Sequence, residues 1–135
     1  MLDTAQALVY LWANPKGRKK QMKGLIIRTT GEMEFADFEF GNSYNTIKEA
    51  VGGWIECVHL PSLGADLWLN EEGKLIGLPL NSHGTTLWAK EYGHTDFIVG
   101  DIIITGGADE EGETLGITPE QIAGVIGTLK SVNLN

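Results

Sequence analysis

One cysteine among 135 residues excludes an intramolecular disulfide, and without a second thiol Cys57 cannot anchor a zinc knuckle. Basic side chains are scarce too, 10 against 18 acids for a net charge of −8, which sets the body of the chain against phosphate-rich partners. Direct nucleic-acid binding is therefore not expected. No apolar run reaches the roughly 18 residues of a membrane span. The start, MLDTAQALVYLW, has no basic segment ahead of its apolar stretch, as a secretory signal requires. A cytoplasmic protein with no membrane partner is the expectation.

Catalytic signatures are also missing. The three histidines, His59, His83 and His94, stand at neither HExxH nor HxxxH spacing. A metal site of His83, His94 and Asp101 can be drawn, but it lacks the ligand spacing of zinc centres, so no metal is expected. Asp109 to Glu113 lacks the alternating oxygen ligands of a calcium loop. Gly52-Gly53 and Gly106-Gly107 lack the lysine or third glycine of a phosphate cradle and read as turns. Cys57 and His59 share a face of one strand at i,i+2, yet a reactive thiol needs an electropositive site, so Cys57 reads as a small buried hydrophobe. We expect no catalytic residues, no cofactor and no enzyme activity.

What is present is enough apolar material, 42% of residues, for a single core. The charge is split. Residues 1–23 hold Lys16, Arg18, Lys19, Lys20 and Lys23 against Asp3, a local +4, and the remainder carries −12. This predicts an N-terminal helix and basic linker at 1–23, an appendage to one α+β domain at 24–135.

Asp3 or Thr4 caps a helix to about Ala13, which Asn14-Pro15 ends. Leu25 to Thr29 and Met33 to Phe40 read as a hairpin, with a bulge near Ala36-Asp37 where the apolar parity changes. A helix capped by Asn42 or Ser43 follows and leaves through Gly52-Gly53. Trp54 to Leu60 and Ala65 to Leu69 form strands about the turn Pro61 to Gly64. Asn70 to Lys74 reads as a second hairpin turn with Gly73 at positive φ, returning through Leu75 to Leu80, an edge strand because of Pro79. A helix from Asn81 or Ser82 to Tyr92, a central strand from Phe97 to Thr105, and a helix opened by the capping box Thr118-Pro119-Glu120-Gln121 complete the chain. The sum is a mainly antiparallel sheet of about six strands with three or four helices packed mostly on one face.

AVGGWIE at Ala50–Glu56, LNEEGKLIGLPLN at Leu69–Asn81 and VGDIIITG at Val99–Gly106 resemble an uncharacterised family of bacteria, plasmids and phages, the domain of unknown function 3846, over about residues 24–135. The resemblance implies a phage or mobile-element habitat, hence the cytoplasm of a bacterial host, and carries no activity to transfer. The basic arm departs from the family's usual pattern, in which the first strand lies close to the start.

Two binding roles fit these absences and this habitat. The first is a phage or mobile-element accessory protein that antagonises a host defence protein, an inhibitor whose acidic, aromatic-bearing surface meets a basic partner; the acidic loop Asp109, Glu110, Glu111 and Glu113 is its contact. The second is a protein that sequesters a nucleotide-like defence signal, with Trp54, Trp68, Asn70, Lys74, Asn81 and Trp88 stacking and reading a flat ligand. An open sheet edge also leaves room for a homodimer.

Overall fold

The computed structural model describes residues 3–13 and 22–134. Helix α1 (Thr4–Ala13) begins where Asp3 and Gln6 exchange hydrogen bonds, the Asp3 carboxylate accepting from the Gln6 amide at 2.8 Å and the Gln6 side chain from the Asp3 amide at 3.1 Å. It packs against the C-terminal helix, buries Leu8, and its Trp12 indole donates to the Ile117 carbonyl at 2.9 Å. The basic stretch from Lys16 to Lys20 lies outside the described residues. Lys23 is already inside strand β1 (Met22–Ile27), buried, with its ammonium 2.7 Å from Asp37.

β1 pairs antiparallel with β2 (Met33–Phe38) in unbroken register, from Met22 opposite Phe38 to Ile27 opposite Met33. The expected bulge is therefore absent. The change of apolar parity has another cause: Met33 and Phe35 pack on one face of the sheet and Ala36 on the other, because helices cover both. Helix α2 (Tyr44–Val51) ends at Gly52, whose φ of 80 is the left-handed exit the sequence predicts. β3 (Ile55–Leu60) and β4 (Ala65–Asn70) form the next hairpin, with Leu60 opposite Ala65.

The segment Leu75–Leu80 is not a strand, and this removes the sixth strand and the edge at Pro79. Gly73 does not take a positive φ; Gly77 does. Local bonds consume the backbone groups a ladder would use: Gly73 donates to the Asn70 carbonyl, Ile76 to Glu72, Gly77 to Lys74 and Leu78 to Gly73. Helix α3 (Ser82–Tyr92) follows its Asn81 cap. Of the run Phe97–Thr105, only β5 (Ile102–Thr105) is a strand, since Gly100 turns at φ 79 and Asp101 bonds sideways to Arg28 and Thr29. The last helix, α4 (Pro119–Lys130), has the full predicted box between Thr118 and Gln121.

The result is an α+β fold whose five strands run β2-β1-β5-β4-β3, antiparallel throughout. The central strand is buried on both faces: Ile102 and Ile104 join the main core beneath α1, α3 and α4, and Ile103 joins Ile26, Ile47 and Val51 beneath α2. Among the described residues, three helices thus share one face of the sheet and α2 alone lies on the other. The edges are β2 and β3.

Candidate functional site

At the end of β4 the Asn70 side chain both donates to the Val51 carbonyl, at 3.3 Å, and accepts from the Glu72 amide, at 2.8 Å. The turns that follow close back on Gly73, which sits so near Val99 that a β-carbon there would lie 2.9 Å from its methyl group. This tethered segment holds Leu75 and Ile76 outward, 87% and 61% exposed. Beneath Leu75 a depression of about 150 Å³ opens between β3, α3 and the 96–99 segment. Val58, Leu69, Trp88 and Phe97 give it apolar walls, and Glu56, Glu71 and Asp96 give it an acidic rim.

Lys74 is the cation of that rim. Its ammonium pairs with Asp96 and lies 4.4 Å from the centre of the Phe97 ring. The Lys74 hydrogen bond, with the Phe97 amide behind it, holds the Asp96 carboxyl below the usual carboxylate range. Trp88 is fixed by its indole bond to the Thr95 hydroxyl at 2.9 Å and by Tyr92, ring centres 4.6 Å apart.

Of the residues proposed to read a flat ligand, Asn70, Lys74 and Trp88 line this depression. The others lie elsewhere. Trp68 is on the opposite face of the sheet, its indole bonded to the Thr105 hydroxyl at 2.9 Å. Trp54 stands exposed with the Lys48 ammonium 4.4 Å from its ring centre. Asn81 is 0% exposed, and its amide group is spent inside the fold, accepting from the Gly84 amide and donating to the Ile27 and Gly100 carbonyls. Leu75, Phe97 and the rim acids Glu56, Glu71 and Asp96 were not singled out by sequence reasoning; the assumption that 75–80 was a strand hid them.

The acidic loop lies at the other end of β5, beyond Thr105. Asp109 is its internal brace, one carboxylate oxygen accepting from both the Glu111 and Glu113 amides at 2.9 Å. Glu110, Glu111 and Glu113 remain exposed.

His83, His94 and Asp101 form no metal-ligating cluster among the described residues. Asp101 instead accepts from Arg28 and the Thr29 amide, both at 2.9 Å, and His83 Nε2 is buried with no hydrogen-bond partner among the described residues. Cys57, His59 and Asp66 do come together, on the sheet face that carries Trp68. His59 Nδ1 lies 2.6 Å from the Asp66 carboxylate. Burial first, then the charge and hydrogen bond of Asp66, push the Cys57 thiol up to about 12. A thiol so held is a poor nucleophile at neutral pH. Asp66 was missed at the sequence level, although a signal existed: with four residues turning between Leu60 and Ala65, counting back along both strands sets it opposite His59.

Comparison with known families and proteins adds one match: the model of a family described as a domain of unknown function, number 3846, covers residues 22–130, from β1 through α4. No curated protein and no solved structure matches the chain.

Proposed function

We propose, for a chain that belongs to the family of the domain of unknown function 3846, that its work is binding: it is a non-enzymatic accessory protein of phage or mobile-element type that docks on a basic host protein and antagonises it. The observation that carries this reading is the pair Leu75 and Ile76, large aliphatic side chains held in water by a well-bonded segment beside an apolar depression with acids around it. Apolar surface of this kind, rimmed by polar groups, marks interaction sites in soluble proteins. An apolar cavity of about 150 Å³ accepts a ring the size of benzene. The fitting partner therefore inserts one aromatic or aliphatic side chain from a surface rich in Lys and Arg. Glu110, Glu111 and Glu113, at the far end of the sheet, add long-range attraction for the same basic surface, which speeds encounter more than it tightens the complex.

A second reading, sequestration of a nucleotide-like signal, draws on Asn70, Lys74 and Trp88 at the same depression. It is the weaker one. Ordinary ligand pockets begin at about 300 Å³, Lys74 is already paired with Asp96, and the remaining rim is acidic where phosphates would lie.

Native mass spectrometry of protein purified gently from bacterial cells, at low and then high ionic strength, separates the two. A protein partner that leaves as salt rises, and that the Leu75→Ser/Ile76→Ser variant never retains, supports docking. A small adduct that survives salt and disappears in Trp88→Ala supports sequestration. A bare chain or a homo-oligomer in every condition refutes both.

A further inference from the structure

We propose that the open end of the α2 face of the sheet is a binding site for a borderline-soft divalent transition ion such as Zn²⁺, with Cys57, His59 and Asp66 as its ligands. The inference is independent of the docking surface, which lies on the other face.

Strand pairing builds the site. His59 and Asp66 are direct cross-strand partners, and Cys57 is two residues from His59 on the same strand, so all three side chains leave one face. A sulfur, a ring nitrogen and a carboxylate oxygen there lie within 4.8 Å of one another. Zinc with bonds of about 2.0–2.3 Å holds tetrahedral donors roughly 3–4 Å apart, so a shift on the order of 1 Å by one ligand closes the set. His59 is the ligand free to make it, its side chain 75% exposed, while Asp66 is 10% exposed and fixed. One thiolate-forming, one imidazole and one carboxylate donor suit zinc and exclude calcium and magnesium, which take oxygen. The buried Asp66 carboxylate has the His59 ring, 2.6 Å away, as its side-chain partner rather than a lysine or arginine, and a carboxylate in such a place is stabilised by a bound cation. Three protein ligands, of which only the imidazole is exposed, leave a fourth position open on the His59 side, which is the pattern of zinc sites that bind a further ligand rather than closed structural ones.

The test adds zinc alone to the full chain after chelator treatment, with calorimetry and a competing chelator as readouts. One ion per chain is expected. Changing groups that merely support a metal ligand costs about 10–100-fold in affinity, so Cys57→Ser and His59→Ala should each weaken binding at least about tenfold, and His94→Ala should leave it unchanged. Cobalt supplies a second readout: the native chain should show a thiolate-to-cobalt absorption band, absent in Cys57→Ser. Circular dichroism on the same samples checks that both variants fold. Substoichiometric binding by the native chain overturns the proposal. So does binding that survives in both variants, or that falls in His94→Ala instead.

Discussion

Replacing Asn81 by alanine removes three buried hydrogen bonds and tests whether this side chain is structural rather than a ligand contact. Its carbonyl oxygen caps α3 through the Gly84 amide at 2.9 Å, and its amide nitrogen serves the Ile27 carbonyl at 3.0 Å and the Gly100 carbonyl at 2.9 Å. A lost cap costs about 1 kcal/mol, and each buried acceptor left without a donor costs about 1–3 kcal/mol. The expected loss is about 3–7 kcal/mol, against about 5–15 kcal/mol of total stability for a domain. With a urea slope of about 1–3 kcal/mol per molar, the unfolding midpoint, followed by tryptophan fluorescence, should drop by at least about 1 M. Asn81→Asp sharpens the test, because it keeps the cap acceptor but cannot donate to either carbonyl and buries a charge. It should be at least as unstable as the alanine variant, and Asn81→Ser, which restores only the cap, should be less so. An alanine variant within about 1 kcal/mol of the native chain, or an aspartate variant equal to it, would refute the reasoning.

Further outcomes follow from the same structure. Leu75→Ser/Ile76→Ser should change stability by less than about 0.5 kcal/mol per site, since both side chains are exposed, while abolishing partner retention; a large fall in melting temperature would show that they pack. Gly106→Ala should destabilise by about 1–3 kcal/mol or more, because the new methyl would meet the Gly116 carbonyl oxygen at 2.0 Å, backbone that cannot yield; urea unfolding reads it directly. In the metal-free chain, the Cys57 thiol standing near 12 against an ordinary 9.0 should make iodoacetamide alkylation at pH 8 on the order of a thousandfold slower than that of a free thiol, and Asp66→Asn should speed it. Because the folded value lies above the unfolded one, the native state keeps this proton between pH 9 and 12 and its stability falls as pH rises through that window. Alkylation at the rate of a free cysteine would contradict the burial described.

The parts of the fold that were legible in the sequence are those specified by local chemistry. Thr118, Pro119 and Gln121 announce α4 because each serves a backbone need of the first turn, and Gly52 announces the exit of α2 for the same reason. The failures lie where a side chain competes with the ladder or where partners are distant. Asn70 looks like a hairpin residue, but its side chain captures the Glu72 amide and starts a coil of turns, which no local pattern distinguishes from a hairpin loop. Phe97 to Asp101 is apolar enough for a strand, but Gly100 turns it at positive φ and Asp101 is drawn aside by Arg28 and Thr29, about 70 residues away in sequence. The candidate site divides the same way: Trp88 and Lys74 are visible as aromatic and cation, whereas their convergence with Phe97 depends on that misread segment.

The place of β5 in the sheet bears on how the chain is made. β1 with β2 and β3 with β4 are hairpins of neighbouring segments, able to form as soon as each pair has been synthesised. Neither touches the other as a strand partner until Ile102–Thr105 arrives and pairs with Leu25–Ile27 on one side and Asp66–Trp68 on the other. Three quarters of the chain must therefore leave the ribosome before the sheet becomes continuous, and until then two inner strand edges, rich in Leu and Ile, stand open to other chains.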